Sequence, residues 1–164
     1  MALDSAELDD LRENWKWAVC LGRPLELGLA KERPLPCWFG ANVPGIDPCE
    51  EGPRGIEGAH WLKRQAVERT IRANLLPPEM VWAYAPAELV RSIDEYVLLA
   101  AWDPRNGVPA CQKHHQRFDG TRVDATNELV IWRHEVPKHV EAFALDWGLE
   151  SALEDRNPPI GGGI

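Results

Sequence analysis

The chain has 164 residues, of which 45% are hydrophobic and 27% are charged, and its formal net charge is −8. This length suits one domain with a modest core, and the hydrophobic share excludes a chain that is disordered throughout. The acidic balance excludes a protein whose whole surface is basic, as in general polyanion binders.

Positive charge is nevertheless concentrated in one segment, residues 61–75. That segment contains Lys63, Arg64, Arg69 and Arg72 against a single acidic residue. A local basic strip on an acidic protein is compatible with binding to the phosphate groups of nucleic acid. The alternative is an ordinary solvated helix face that binds nothing.

The expected location of the protein is the cytoplasm. No apolar run approaches the length of a membrane span, so we expect no membrane partner. The first residues are acidic and lack the basic start of a signal peptide. In a reducing compartment, the four cysteines favour metal binding over disulfide formation.

In the first half of the chain, two helices flank a long irregular segment. Residues 5–19 have apolar residues at helical spacing, which predicts a helix. Residues 22–55 are rich in proline and glycine, so we expect no long regular element there. Residues 55–62 are predicted to form a short strand ending at His60, and residues 63–75 to form a helix.

The second half is predicted to mix helices with short strands. The helices are predicted over residues 86–96, 111–118, 137–147 and 149–153. The strands are predicted over the apolar run 97–102 and, in pieces, over 123–132. Gly148 is suited to end the helix before it.

These elements predict an α+β fold in a single domain. The domain is expected to span residues 1–156, with a core at about 37–122 and helices added at both ends. Residues 157–164 are expected to form a flexible tail, because they are rich in glycine and proline.

The segment from Asp103 to Asp119 carries the most distinctive chemistry of the chain. Cys111 and His114 have the C-x-x-H spacing that suits two ligands of one tetrahedral zinc. His115 and Asp119 are four residues apart, so on a helix they share one face and can hold a second metal.

With His60 upstream, the chain presents a His, an Asn at position 106 and a second His at 115, the last two within the motif N-x4-C-x2-H-H. This order resembles the HNH endonuclease family, in particular small phage and actinobacterial proteins of that family. The resemblance covers roughly residues 37 to 119. It implies a ββα-metal core and metal-dependent cleavage or nicking of DNA.

The resemblance also implies a role for each residue. His60 would be the general base that activates water, and its loss is expected to leave the stability of the fold nearly unchanged. Asn106 would orient His60 or the metal-bound water through its amide. His115 would bind the catalytic metal, and Asp119 stands where some members have a further histidine. A carboxylate there favours magnesium or manganese.

One position departs from the family. Members often carry an acidic residue or a second histidine directly before the first His, where this chain has Ala59. Either fewer protein ligands hold the metal, or catalysis has been lost. Glu57 and Asp103 are possible replacement ligands, and spacing does not select between them.

A structural zinc is expected beside this site. Cys37, Cys49, Cys111 and His114 form a Cys3His set, although Cys37 and Cys49 have eleven residues between them, wider than a standard knuckle. Similar HNH proteins often use a zinc to tie the loop before the first His to the catalytic helix. Cys20 is then a spare thiol; the alternative is that the cysteines are merely buried and no zinc binds.

DNA is the expected partner. The predicted contacts are the basic residues that flank the proposed catalytic groups, namely Lys63, Arg64, Arg69, Arg72, Lys113 and Arg117. Two rival functions remain open. One is a catalytically inactive, zinc-containing module that binds nucleic acid or another protein. The other is an accessory protein of phage DNA packaging that acts only with partners.

Overall fold

The computed structural model describes residues 3–21, 35–75, 87–120 and 129–159. These residues form an α+β fold of helices around a small two-stranded sheet. The helices are α1 (Ser5–Leu21), α2 (Trp38–Asn42), α3 (Arg64–Leu75), α4 (Ala87–Ala101), α5 (Gln112–Asp119), α6 (Lys138–Trp147) and α7 (Glu150–Arg156). The strands are β1 (Glu57–Ala59) and β2 (Val108–Ala110), and a 3-10 turn covers Arg133–Glu135.

Helix α1 confirms the first predicted helix and runs two residues further. Its start is stabilised by a reciprocal cap, in which the Glu7 amide donates to the Asp4 carboxylate (2.8 Å) and the Asp4 amide donates to Glu7 (3.0 Å). Trp15, Ala18 and Val19 are buried on one face at helical spacing, and this face packs on β1 and β2.

Strands β1 and β2 pair antiparallel, with Glu57 opposite Ala110 and Ala59 opposite Val108. The predicted strand at 55–62 is confirmed in its middle three residues only. Helix α5 begins two residues after β2, so the helix lies close to the two-stranded sheet. Cys111 caps α5 by accepting a weak hydrogen bond from the His114 amide (3.4 Å), and Gly120 ends it at φ 67°.

The strand predicted at residues 97–102 is wrong, because α4 continues through this run to Ala101. Burial along α4 recurs at Ile93, Val97 and Ala100, which is the spacing of a helix face and not the alternation of a strand. This face packs on the buried Val67 and Ile71 of α3. A short apolar run does not distinguish the two structures by itself.

The C-terminal helices were predicted at nearly their observed positions, with Gly148 ending α6 at φ 69°. Of the predicted strand pieces at 123–132, residues 123–128 lie outside the described residues, and residues 129–132 form no strand. The ordered chain continues past the predicted boundary at 156. Asn157 is buried and accepts a hydrogen bond from the Trp61 indole (2.7 Å). Residues 160–164 lie outside the described residues.

The core surrounds the residue that follows His60. Trp61 is fully buried, and its ring lies 4.9 Å from that of Phe118 on α5 and packs edge-on against Trp38 at 5.4 Å. Phe39 of α2 in turn lies 4.9 Å from Phe118. This aromatic cluster fixes the end of β1 against α5, and it thereby positions the histidines of both elements. None of the described helices has the length and apolar character needed to cross a bilayer.

Candidate functional site

Cys37, Cys49, Cys111 and His114 converge as the sequence predicted, with all four potential ligand atoms within 4.8 Å of one another. The Nδ1 atom of His114 lies 3.5 Å from Cys37 Sγ and 3.7 Å from Cys49 Sγ. In a tetrahedral zinc site, with bonds of about 2.3 Å to sulfur and about 2.0 Å to nitrogen, such ligands lie about 3.5 Å apart. The cluster can therefore hold a metal ion such as zinc.

The three cysteines of the cluster are free, and they form no disulfide with one another. Partial burial and the charges of Cys37 and Cys111 raise the pKa of Cys49 to about 12. A bound cation reverses this repulsion, because thiolates and not thiols are metal ligands. The remaining thiol, Cys20, is buried in α1 and is not a member of the cluster.

Asp47 lies behind the cluster and was not identified from the sequence. Its Oδ1 atom is 3.4 Å from Nε2 of His114, a fully buried nitrogen with no hydrogen bond to the described residues. Asp47 also pairs with Lys113 (2.5 Å) and Arg117, and the hydrogen bond from Lys113 is the main reason that its pKa falls to about 2. A carboxylate on the outer nitrogen of a ligating histidine fixes the ring for metal binding.

A separate cleft of about 390 Å³ opens beside β1 and the outer face of α5. It is lined by Pro53, Arg54, Glu57, Gln112, His115, Gln116 and Asp119. Helical spacing places four α5 residues on this wall, since Gln112, His115, Gln116 and Asp119 follow one another at intervals of three, one and three residues.

His115 lies between two carboxylates in this cleft. Its Nδ1 atom is 2.9 Å from Glu57 Oε1, and its Nε2 atom is 3.1 Å from Asp119 Oδ2. Burial disfavours the protonated ring, but the hydrogen bonds to Asp119 and Glu57 outweigh burial and raise the pKa of His115. The arrangement binds positive charge, either as a proton on the ring or as a cation in its place.

His60 is held by its surroundings more firmly than the sequence predicted. Its ring stacks on Trp15 of α1, with ring centres 3.9 Å apart and an angle of 8° between the planes. Trp102 packs edge-on against the ring at 4.6 Å, and the backbone of Ala101 forms a hydrogen bond with it. His60 therefore has packing contacts that no local pattern of the sequence indicated.

His60 is also neutral. Burial lowers the pKa of His60 to about 4, and the nearby negative charge of Asp119 opposes this shift only in part. The charges of both Asp119 and His115 act on His60, so the three residues lie in one electrostatic neighbourhood. At neutral pH the imidazole retains a free lone pair that can accept a proton.

Asn106 acts on the backbone and not through direct contact with His60. Its fully buried amide donates to the carbonyls of Leu62 and Ala101 (both 3.0 Å) and accepts from the Leu62 amide (2.9 Å). Both of its amide hydrogens are thus used. The expected orienting role becomes an indirect one, since Asn106 fixes the chain directly after His60 and the carbonyl region that His60 contacts.

The structure selects between the two acidic residues that were considered as replacements for a ligand at Ala59. Asp103 binds Arg105 (3.0 Å) and the Trp147 indole (2.9 Å), away from the cleft lining. Glu57 lines the cleft, but it contacts the Nδ1 side of His115, opposite Asp119. Glu57 is therefore placed to orient the His115 ring.

The predicted nucleic-acid contacts divide into two groups. Arg72 is 6% exposed and pairs with Glu68 (2.9 Å) and Asp94 (2.6 Å), so its assignment to a binding surface is wrong. Lys113 and Arg117 both pair with Asp47 beside the cysteine cluster.

The other three predicted contacts, Lys63, Arg64 and Arg69, are exposed. The Lys63 ammonium lies at the end of α5, where it donates to the Asp119 carbonyl (3.1 Å). The sequence interpretation omitted Arg54, an exposed cation on the cleft wall, because no spacing distinguishes it. Trp15 was likewise given only a helix-face role, as nothing local relates it to a residue 45 positions away.

No protein-family model, curated protein or solved structure matches this chain. The function must therefore be argued from the chemistry of the two sites.

Proposed function

We propose that this protein is a metal-dependent endonuclease of the HNH type, which hydrolyses or nicks phosphodiester bonds of DNA. The observation that carries the proposal is the arrangement of His115 and Asp119 on the wall of an open cleft, with a neutral His60 near enough for both their charges to act on it. His60 itself is not among the residues that line this cleft. The order of elements, β1 paired with β2 and then α5, agrees with a ββα-metal unit.

His60 is the proposed general base. One face of its ring is stacked on Trp15, its edge contacts Trp102, and the Ala101 backbone forms a hydrogen bond with it, which leaves a limited set of orientations. Because its pKa is near 4, the ring is unprotonated at neutral pH and can take a proton from water. A base of such low pKa needs an acidified water as its partner.

His115 and Asp119 would hold the catalytic cation, magnesium or manganese. Both present ligand atoms on the Nε2 side of the imidazole, while Glu57 accepts the Nδ1 hydrogen and sets the ring orientation. A pair of protein ligands suits these ions, which retain several water ligands. When bound, the cation supplies charge stabilisation to the phosphate and lowers the pKa of its water.

The Cys3His cluster is proposed to hold a structural zinc. It joins the irregular segment around Cys37 and Cys49 to the first turn of α5, which presents His115 one residue after the ligand His114. Closed four-ligand sites of this type stabilise folds and leave no position for substrate.

The deciding experiment is nicking of a supercoiled plasmid by the zinc-containing protein, with magnesium or manganese added. We expect nicking that His60→Gln and His115→Ala each lower by about 100-fold or more, the scale for loss of a general base or a metal ligand. His134→Ala is the matched control, since His134 is an exposed histidine on the 3-10 turn. Activity of His60→Gln equal to that of the wild type would exclude the proposed base.

A second candidate is a catalytically inactive module that keeps the zinc and binds nucleic acid or protein. Two observations favour it: Ala59 provides no ligand, and His115 already has both ring nitrogens paired with carboxylates. Such a module would leave plasmid intact under all metal conditions while still binding DNA in a salt-dependent way.

A further inference from the structure

Helix α1 brings one tryptophan onto the two-stranded sheet beside His60, which directly follows β1. The indole of Trp15 is 4% exposed, stacks on the His60 ring, and donates its Nε1 hydrogen to the carbonyl of Asn106 (3.2 Å). A single side chain of α1 therefore contacts the candidate base and the residue that fixes the chain after that base.

The two-stranded sheet has space for this indole. A Cβ atom added at Gly58 would lie 2.6 Å from the Trp15 ring, and one added at Gly107 would lie 2.8 Å from it. Because Gly58 belongs to β1 and Gly107 immediately precedes β2, both strands lack side chains where the ring packs. Such a close approach requires glycine at both positions.

The ring of His60 is thereby restrained from three directions. Trp15 covers one face, the edge contact with Trp102 restricts rotation, and the Ala101 backbone engages a ring nitrogen. Removal of the stacked face would leave only the contacts with Trp102 and Ala101, and it would widen the range of rotamers open to the imidazole. We propose that Trp15 is a positioning residue, which holds His60 in the single orientation and tautomer required for its role as a base.

This inference rests on the proposed function. It also explains why the N-terminal helix α1 packs on the two-stranded sheet. A base must lie within hydrogen-bonding reach of the proton it removes, so a rotated ring loses rate even when substrate binding is unchanged. Loss of the positioning residue should therefore lower kcat and leave KM nearly constant.

Two variants of Trp15 and two controls separate this role from simple packing. Trp15→Leu removes the aromatic face, whereas Trp15→Phe retains one. Val19→Ala trims the same interface, since a Cβ atom added at either glycine would also lie within 3.5 Å of Val19, which has no described contact with the His60 ring. Trp17→Leu changes an exposed tryptophan of the same helix.

Two readouts are taken on zinc-containing protein: plasmid nicking, and the tautomer of His60 from the nitrogen-15 shifts of its imidazole at neutral pH. We expect Trp15→Leu to lower kcat about 10-fold or more at similar KM and to mix the His60 tautomers. Trp15→Phe should restore most of both readouts, and both controls should retain the wild-type tautomer. Val19→Ala is expected to be less stable yet active.

The two proposals fail in different ways. If the wild type does not nick DNA, the nuclease proposal fails, and the nitrogen-15 spectrum alone decides the role of Trp15. A single His60 tautomer that persists in Trp15→Leu would overturn the positioning role. It would also be overturned if kcat fell equally in Trp15→Leu and Val19→Ala, because loss of helix docking would then explain both.

Discussion

His60 and His115 influence each other's charge, yet their surroundings shift their pKa values in opposite directions. Burial between aromatic rings lowers the pKa of His60, whereas Asp119 and Glu57 raise that of His115 despite its burial. Two histidines whose pKa values are shifted apart can have different charges at the same pH. One is then a neutral base, and the other carries a positive charge.

The first prediction concerns His60 and the pH dependence of stability. Its pKa is about 4 in the folded state and about 6.5 when unfolded, so between these values the unfolded chain binds more protons. The free energy of unfolding should therefore decrease as pH falls from 6.5 to 4, with His60 contributing at most about 3 kcal/mol. Chemical denaturation of wild type and His60→Gln should show this difference.

His115→Gln is the control of opposite sign. Because the folded-state pKa of His115 is raised, its contribution to stability is present below pH 6.5 and disappears as pH rises through the folded value. Difference curves with the same sign for both variants would contradict the assignment of a neutral His60.

The second prediction concerns Asp47, which faces the outer nitrogen of His114. Asp47→Asn should lower zinc affinity by about 10- to 100-fold, the usual effect of removing a carboxylate partner from a ligating histidine. Competition with a chromophoric chelator measures this affinity. Asp146→Asn is the control, because Asp146 pairs with Arg105 at an exposed site away from the cluster. Unchanged zinc affinity in Asp47→Asn would show that the contact is incidental.

At the scale of elements, the cysteine cluster and Asn106 each connect parts of the chain that are far apart in sequence. The cysteine cluster joins α2 and the loop after it to α5, while Asn106 joins the chain after β1 to the end of α4. Helix α2 has only five residues and no side-chain cap, so its own hydrogen bonds contribute little to its persistence. A bound zinc would supply the missing constraint.

The third prediction follows from that constraint. Protein purified without added metal should contain about one zinc per chain, and a strong chelator should lower its melting temperature. Gly40→Ala in α2 should weaken zinc retention, because a Cβ there would lie 2.6 Å from Cys49 Sγ. Elemental analysis and thermal melts provide the measurements.

Ala41→Ser is the neighbouring control, since Ala41 is exposed on the same helix. It should retain zinc and melt as the wild type does. Metal-free protein with an unaltered melting curve would refute the structural role of zinc.

At the scale of the whole molecule, ion pairs determine which lysine and arginine side chains are available to bind the phosphates of DNA. Arg72 is enclosed between Glu68 and Asp94, and Lys113 is held by Asp47. The exposed cations Lys63 and Arg64 lie at the start of α3, and the Lys63 ammonium contacts the carbonyl of Asp119, a residue of the cleft wall. Binding to DNA is therefore expected to depend on few residues of an acidic protein.

The fourth prediction tests this surface. Lys63→Glu combined with Arg64→Glu should weaken binding to DNA duplexes of every sequence alike, since phosphate contacts carry no base information. The dependence of log affinity on log salt should become shallower by about 1 for each lost phosphate contact. Fluorescence anisotropy across a salt series measures both.

Arg91→Glu is the control, because Arg91 is an exposed arginine of α4 outside the cleft lining. It should bind with nearly the wild-type salt slope. A double mutant with unaltered affinity and slope would assign Lys63 and Arg64 to an ordinary solvated helix face.

The amino-acid sequence by itself determined the α+β class, most helices and the Cys3His set that can hold a metal ion. These features rest on short-range regularities: the helical spacing of Trp15 and Val19, the capping residues, and the C-x-x-H spacing at Cys111. Local spacing also related His115 to Asp119, because a helix places residues four apart on one face.

Only the tertiary structure decided which distant residues meet. It placed Trp15 on His60, selected Glu57 over Asp103 as the partner of His115, and buried Arg72 in an ion pair. It also converted the apolar run after residue 96 from a predicted strand into the end of α4. Each outcome depends on contacts between elements far apart along the chain, where packing and charge pairing override the local pattern that sequence periodicity reports.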